Sequence, residues 1–333
     1  MIHEIHLEGF KSFLDQYIET KELTMLTGLN SSGKSTIIQA VAMIEKLRSS
    51  NNSQFLLSGH GGIKELINPL KENFVIEIYA DGYSVCMSSI QGETKVNGEI
   101  TDNIFSLEAG RKGGENSVMI FNENSEIGNK GENVLKCIDT YYNETVPQTL
   151  RHEKSEGSTL GYNLKAWLNI ISPGVSFDYN VQEMGDTSFS TFDNHRTANV
   201  GFGLSYTLPV ITLLLRASLL PGSIVLLENP EAHLHPKGQT EMGKLIACAV
   251  DAGVQVIVET HSDHLFEGIR LYTKERGLLQ QNNHFADKFI GYWIEKNEDS
   301  YAHIIEIDDN GKLKDKTPEG FFDQFEINAL KLL

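Results

Sequence analysis

The stretch Gly28-Leu29-Asn30-Ser31-Ser32-Gly33-Lys34-Ser35 limits what this chain can fold into more than any other part of it. It follows the apolar residues 23–26 and precedes the apolar-periodic residues 37–47, so it reads as a P-loop joining a strand to a helix. Each part has a physical task. Glycines let backbone N–H groups curl around phosphate oxygens, Lys34 reaches the β- and γ-phosphates, and Ser35 offers a hydroxyl to Mg²⁺. A helix that starts at Lys34 or Ser35 adds its free N–H groups and the positive end of its dipole. The nucleotide-binding residues expected are Asn30, Ser31, Ser32, Gly33, Lys34, Ser35 and Thr36.

A second stretch completes the pattern. Ile224-Val225-Leu226-Leu227-Glu228 is an apolar run that ends in a carboxylate, the layout of a Walker B strand, and Asn229-Pro230-Glu231 turns the chain away. Glu228 is expected to serve Mg²⁺ together with Ser35. A helix follows, with Met242, Leu245, Ile246, Ala249 and Val250 on one stripe and Gly253 at its end. Residues 254–259 read as another buried strand, with Thr260-His261-Ser262 at its tip. There His261 suits a γ-phosphate sensor and Ser262 can cap the next helix. His233, His235, His261 and His264 could be imagined as a metal cluster, but no carboxylate or cysteine partner stands at a familiar spacing.

The remaining properties bound the class. With 333 residues, 40% of them hydrophobic and 22% charged, the chain has the make-up of a globular protein with an ample core. A formal net charge of -17 argues against coating nucleic acid by charge alone, since phosphate neutralisation needs excess Lys and Arg. Cys86, Cys137 and Cys248 are scattered and odd in number, which points to a reducing compartment rather than a disulfide framework. The N-terminus lacks the regions of a signal peptide, and a cytoplasmic protein is expected. Residues 204–227 are the most apolar, yet Pro209, Arg216, Pro221 and Gly222 break them into a helix, a tight turn and a strand rather than a membrane span.

Along the chain, residues 2–13 alternate weakly and lead to the P-loop strand. Asp81-Gly82 and Asn97-Gly98 read as two hairpin turns. Residues 109–131 read as loop with a short strand at 118–121, then helices are expected around 132–142 and 164–171 and a strand at 175–181. Asp308-Asp309-Asn310-Gly311 reads as a turn. The organisation is one domain, residues 1–333, with a nucleotide lobe from 1–60 plus 218–300, an inserted lobe over 61–217, and a C-terminal extension at 301–333. No heptads are sustained, so no long coiled coil projects.

The three motifs, residues 28–36, Glu228-Asn229-Pro230-Glu231-Ala232-His233-Leu234-His235-Pro236 and Val256-Ile257-Val258-Glu259-Thr260-His261-Ser262, resemble those of ABC-type ATPases of the SMC and RecF kind, and of the ATPase part of overcoming-lysogenization-defect (OLD) nucleases. Glu8-Gly9-Phe10-Lys11-Ser12-Phe13 is similar to the SMC-type opening. Thr317-Pro318-Glu319-Gly320-Phe321-Phe322-Asp323-Gln324 resembles the ending of a bacterial ATPase family without an assigned role. The resemblance implies an α/β fold, a P-loop NTPase of ABC type with a mixed sheet flanked by helices and an inserted α+β lobe. It implies ATP and Mg²⁺ as cofactors, and ATP sandwiched in a homodimer or higher oligomer between one subunit's P-loop and the other's signature segment. Gly201, Gly203 and Ser205 are the signature candidates; Gly201 stands where the usual pattern has Ser. Asn229 stands where relatives carry the Glu that orients water. An amide is no general base, so Glu231 or His261 handles the water or hydrolysis is slow. The catalytic residues expected are Glu228, Glu231 and His261.

The function implied is an ATPase whose dimerisation around ATP switches a protein effector, in bacterial anti-phage defence or DNA maintenance. The alternative is a DNA-binding SMC/RecF-like clamp ATPase. An OLD-type nuclease would need a further acidic metal-binding domain, whereas only about 70 residues follow His261. A transporter motor is disfavoured by the segment after Glu228, and no membrane partner is expected.

Overall fold

Strand alternation at the N-terminus produces a sheet with one apolar and one acidic face. The computed structural model describes residues 1–49, 56–57, 61–90, 93–112, 118–120, 125–199, 202–279, 284–296 and 300–333. Contacts divide the chain into two compact units, Met1–Asp102 with Gly277–Leu333, and Asn103–Arg276. In the first, β1 (Ile2–Phe10) and β2 (Phe13–Glu19) form a hairpin, then β3 (Leu23–Gly28), α1 (Lys34–Ser49) and α2 (Ile63–Leu66) follow, and β4 (Val75–Ala80), β5 (Tyr83–Ile90) and β6 (Glu93–Asn97) complete an antiparallel sheet of order β2-β1-β4-β5-β6. Ile5 and Leu7 of β1 stand opposite Ile78 and Ile76 of β4, and all four are fully buried.

Asp81-Gly82 is the β4–β5 turn, as expected. Asn97-Gly98 is not a hairpin turn: β6 is the last strand of its sheet, and the chain leaves it there. Gly98 is needed for another reason, since at φ +91° any Cβ would lie 2.1 Å from the Ser84 carbonyl oxygen.

On the acidic face, His6 lies between two carboxylates, Nδ1 at 2.9 Å from Glu77 and Nε2 at 2.8 Å from Asp15, with its ring stacked on Tyr17 at 3.9 Å. Burial lowers its pKa, but the bonds to Glu77 and Asp15 more than reverse this and hold it above the ordinary value. A histidine with a raised folded-state pKa gives stability that is complete below its unfolded pKa and is lost as pH rises through the folded one. Thermal melts of the wild-type protein should therefore weaken from pH 6 to pH 9 by more than those of His6→Gln. Parallel pH profiles would show that the carboxylates hold no imidazolium.

The second unit is built on a parallel core. It contains β7 (Ile104–Leu107), β8 (Val118–Met119), α3 (Val134–Tyr141), α4 (Leu160–Ile171), β9 (Phe177–Gln182), β10 (Thr187–Phe192), β11 (His195–Arg196), α5 (Phe202–Ala217), β12 (Ile224–Glu228), α6 (Pro236–Asp251), β13 (Gln255–Glu259) and all but the last residues of α7 (Asp263–Leu279). Strands β7, β12 and β13 pair in parallel with β12 in the middle. Parallel strands are covered on both faces, which is why residues 224–227 and 256–258 are uniformly apolar and fully buried. β8, β9 and β11 pair antiparallel with β10. The strand expected at 118–121 is present at Val118–Met119, and Phe121 lies outside the described residues. Pro209 is carried inside α5 without ending it.

Helices α6 and α7 cross where neither has a side chain. A Cβ on Gly243 would lie 2.1 Å from the Leu265 carbonyl oxygen, and one on Gly268 would lie 2.0 Å from that of Thr240. Both atoms are backbone and cannot turn aside, so Gly243→Ala must push the helices apart. Its cost should be about 3 kcal/mol, the upper part of the range for overpacking, seen as a lower urea midpoint. An unchanged midpoint would show that the two helices part without loss.

The chain then returns to the first unit. β14 (Phe289–Lys296) pairs in parallel with β3, β15 (Ser300–Ile305) pairs antiparallel with β14, and α8 (Gln324–Leu332) is last. Asp308 forms the expected turn, its Oδ1 accepting from the N–H groups of Asn310 and Lys312. Phe321 is buried edge-on against Trp293 at 6.0 Å, which ties the tail to β14. Among the described residues no helix is long and apolar enough to cross a membrane.

Candidate functional site

The P-loop stands where its residues imply, between β3 and α1 in the first unit. The backbone is held in conformations that favour glycine, with φ +145° at Gly28 and +110° at Gly33, and Ser31 is left-handed at +63°. At Gly33 a Cβ would meet Ser12 Oγ at 2.7 Å and the Phe13 ring at 3.0 Å, so the β1–β2 turn packs directly on the loop. Lys34 folds across it, donating from Nζ to the carbonyls of Gly28 at 3.0 Å and Leu29 at 2.7 Å. Ser32 Oγ is buried with no hydrogen-bond partner. An orphaned hydroxyl, a cation and the first N–H groups of a 16-residue helix converge on one loop, and that donor set suits a polyphosphate. Ile37, Val41 and Ile44 anchor α1 beneath it, all nearly inaccessible.

In the second unit the carboxylates gather at the ends of the parallel strands. Glu228 and Glu259 stand side by side in the β12–β13 register. Glu228 Oε2 accepts from the Ala109 N–H at 3.0 Å. Burial, with added repulsion from Glu259 and Glu108, pushes its pKa up to about 7 despite that bond. A carboxylate so placed is expensive to ionise unless a cation joins it, which is the chemistry Mg²⁺ supplies. Asn229 adopts φ +45°, a conformation Asn tolerates better than most residues, and its Oδ1 is buried without a partner.

Glu231 and His261 are brought together, though not through the imidazole: Glu231 Oε1 accepts the His261 backbone N–H at 2.9 Å. Glu231 is buried, and burial raises its pKa. The His261 residue is exposed at the tip of β13. Ser262 caps α7, its Oγ accepting from the Leu265 N–H at 2.9 Å. His235 is the N-cap of α6, with Nδ1 accepting from Lys237 N–H. Of the signature candidates, Gly201 lies outside the described residues, while Gly203 and Ser205 lie at the start of α5. Gly203 packs against the turn after β12, where a Cβ would be 2.8 Å from the His233 carbonyl oxygen.

Arg111 was not singled out from the sequence. It lies in the Gly-rich stretch read as loop, yet it is 3% exposed and its guanidinium donates to the carbonyls of Glu228 at 2.7 Å and Asn229 at 2.6 Å. Burial lowers its pKa to about 10, against the opposing pull of Glu231, Tyr206 and Glu228. An isolated arginine in a polar loop is the sole sequence signal, and its partners lie 117 and 118 residues away.

The sequence and the fold are similar to those of known proteins. Residues 88–266 match the AAA ATPase domain model, residues 4–136 match an AAA domain model, and residues 290–332 match a family described only as a protein of unknown function, DUF3696. No curated protein matches the sequence. The fold is similar to an SMC head bound to the C-winged helix domain of ScpA, with 15% identity, a TM-score of 0.58, and coverage of 92% of this chain and 98% of that one. It is also similar to the Pyrococcus furiosus SMC head bound to the C-terminal domain of ScpA, at 14% identity and a TM-score of 0.57, covering 99% and 98% of the two chains. The recombination mediator protein RecF matches at 13% identity and a TM-score of 0.44, over 79% of this chain and 93% of its own. The strand-and-helix P-loop, the acid at the end of a parallel strand and a family match spanning more than half of the sequence lead to one conclusion: the chain belongs to the AAA ATPase domain family, with a fold similar to that of SMC heads.

Proposed function

We propose that this ATPase binds ATP at Asn30, Ser31, Ser32, Gly33, Lys34, Ser35 and Thr36, closes as a dimer around it, and thereby switches a protein effector in the cytoplasm. The observation that carries the reading is the P-loop itself, where Lys34 Nζ and the unpartnered Ser32 Oγ converge at the start of α1. Ser35 and Glu228 are the residues that would hold Mg²⁺, whose charge would neutralise phosphate oxygens. Gly203 and Ser205, with Gly201, would offer their N–H and hydroxyl groups to the nucleotide of a second copy. The nucleotide lobe is assigned to residues 1–60 plus 218–300, the inserted lobe to 61–217 and the extension to 301–333. SMC heads solved with ScpA domains support a partner protein, and the motif resemblance supports a setting in bacterial anti-phage defence or DNA maintenance.

Turnover should be slow. Asn229 cannot accept a proton, so the reacting water is left to Glu231 or His261, which do not stand at the position next to Glu228. A kcat below about 1 s⁻¹, the low end of the enzyme range, is expected in a phosphate-release assay. The test of dimerisation is molar mass by light scattering, with and without Mg-ATP, on wild type and Lys34→Ala. Doubling for wild type alone supports the sandwich; a monomer throughout removes the trans role of Gly201, Gly203 and Ser205.

The second reading, a DNA-binding clamp, is favoured by the likeness to SMC heads and opposed by the net charge of -17. DNA affinity that falls steeply with salt would establish it.

A further inference from the structure

Three elements of the Asn103–Arg276 unit meet at one side chain. Arg111 follows β7, its Nη1 donates to the carbonyls of Glu228 at 2.7 Å and Glu108 at 3.2 Å, and its Nη2 donates to that of Asn229 at 2.6 Å. Its guanidinium carbon lies 5.6 Å from the centre of the Tyr206 ring, on the first turns of α5. The same ring stands edge-on to His233 at 4.8 Å, and Gly203, three residues earlier, lies so near that a Cβ on it would be 2.8 Å from the His233 carbonyl oxygen. Arg111, the turn 228–233 and the start of α5 therefore form a closed circuit.

Burying a guanidinium among carbonyls costs desolvation. Joining β7 to β12 does not require it, because those strands are already paired from Ile104↔Ile224 to Leu107↔Leu227. What the ladder cannot do is reach α5. A planar group with two donating edges and an open face bonds two consecutive carbonyls while its face lies against an aromatic ring, a fixed geometry that the point charge of an ammonium does not reproduce.

We propose that Arg111 is a positioning residue that locks the Glu228 turn to the first turns of α5, so that the acid and Gly203 with Ser205 move as one piece. This rests on the ATPase reading above for its consequence in catalysis. Its structural part does not depend on nucleotide.

Hydrogen–deuterium exchange of wild type, Arg111→Gln, Arg111→Lys and Tyr206→Leu, with and without Mg-ATP, tests it. Without nucleotide, Arg111→Gln should speed exchange at residues 203–207 and 228–233 together by about 10-fold and leave 28–36 unchanged. Tyr206→Leu decides between coupling and simple support, because it keeps every bond from Arg111 to the turn. Faster exchange in that variant is expected at 228 and 229, whose carbonyls Arg111 holds, and not only at His233, which the Tyr206 ring itself meets; unchanged exchange at 228 and 229 overturns the proposal. In steady-state assays kcat should fall about 10-fold in Arg111→Gln with KM within about twofold, and Arg111→Lys should not restore it. A KM rise matching the kcat loss also overturns it. If Arg111→Gln does not fold, Arg111→Lys and Tyr206→Leu carry the same comparison. Failure of Mg-ATP to protect residues 28–36 in wild type would instead sink the ATPase reading, and the nucleotide-free exchange would still decide the role of Arg111.

Discussion

Lys34→Ala is expected to weaken Mg-ATP binding about 100-fold, roughly 3 kcal/mol, while leaving the fold intact. The amine already spans the loop, bonded to the carbonyls of Gly28 and Leu29, so its stem is directed before any ligand arrives. The ammonium now bonds two uncharged carbonyls, and phosphate oxygens would add an opposite charge to the same donors, a stronger pairing. Alanine removes the cation but keeps the helical propensity of the first α1 position. Melting temperature should therefore fall by only a few degrees, reflecting the two carbonyls left without this donor. Isothermal titration with Mg-ATP measures the loss. An affinity within threefold of wild type would mean that another part of the chain carries the phosphates. Gly33→Ala provides an independent control at the same loop, because it keeps the cation and destroys the backbone shape, with Ser12 and Phe13 in the way of the new methyl group.

How much of this could be read beforehand depends on whether the cause was local. The P-loop between strand and helix, the apolar strand ending at Glu228, the Ser262 cap and the Asp81-Gly82 turn are fixed by neighbours within a few residues, and each element stands where the residues implied. The apolar periodicity of residues 37–44 likewise specified the face that α1 buries. Errors and omissions share the opposite property. Asn97-Gly98 has hairpin chemistry, but a turn needs a returning strand, and residues 104–107 pair instead with β12. Four residues, Ile104-Phe105-Ser106-Leu107, are too few for periodicity to announce a strand. Gly243 and Gly268 read as poor helix residues until the crossing of α6 with α7 explains them. Arg111 is the extreme case, since its partners are carbonyls, which every residue has and no sequence pattern marks.

Glu228→Gln should gain stability and lose catalysis. Ionising a carboxylate whose folded-state pKa is about 7, against an ordinary value of 4.5, costs about 3 kcal/mol at pH 8 as an upper bound. The sign follows from proton counts. Between these two values the folded protein holds the proton that the unfolded chain has lost, so the contribution of Glu228 to stability falls as pH rises through that window and is flat on either side. Glutamine carries no such charge, and its side-chain oxygen can still accept the Ala109 N–H. Without nucleotide the variant should match wild type at pH 4.5 and exceed it at pH 8, by an amount readable in urea titrations. Single-turnover hydrolysis at saturating Mg-ATP should fall by at least about 100-fold, the scale seen when one charge-stabilising group is removed. Identical pH slopes would place the buried charge elsewhere, on Glu231 or Glu259, and unchanged hydrolysis would remove Glu228 from the chemistry. Both effects together would mean that the acid is retained at a cost to the apo fold because a cation must meet it there.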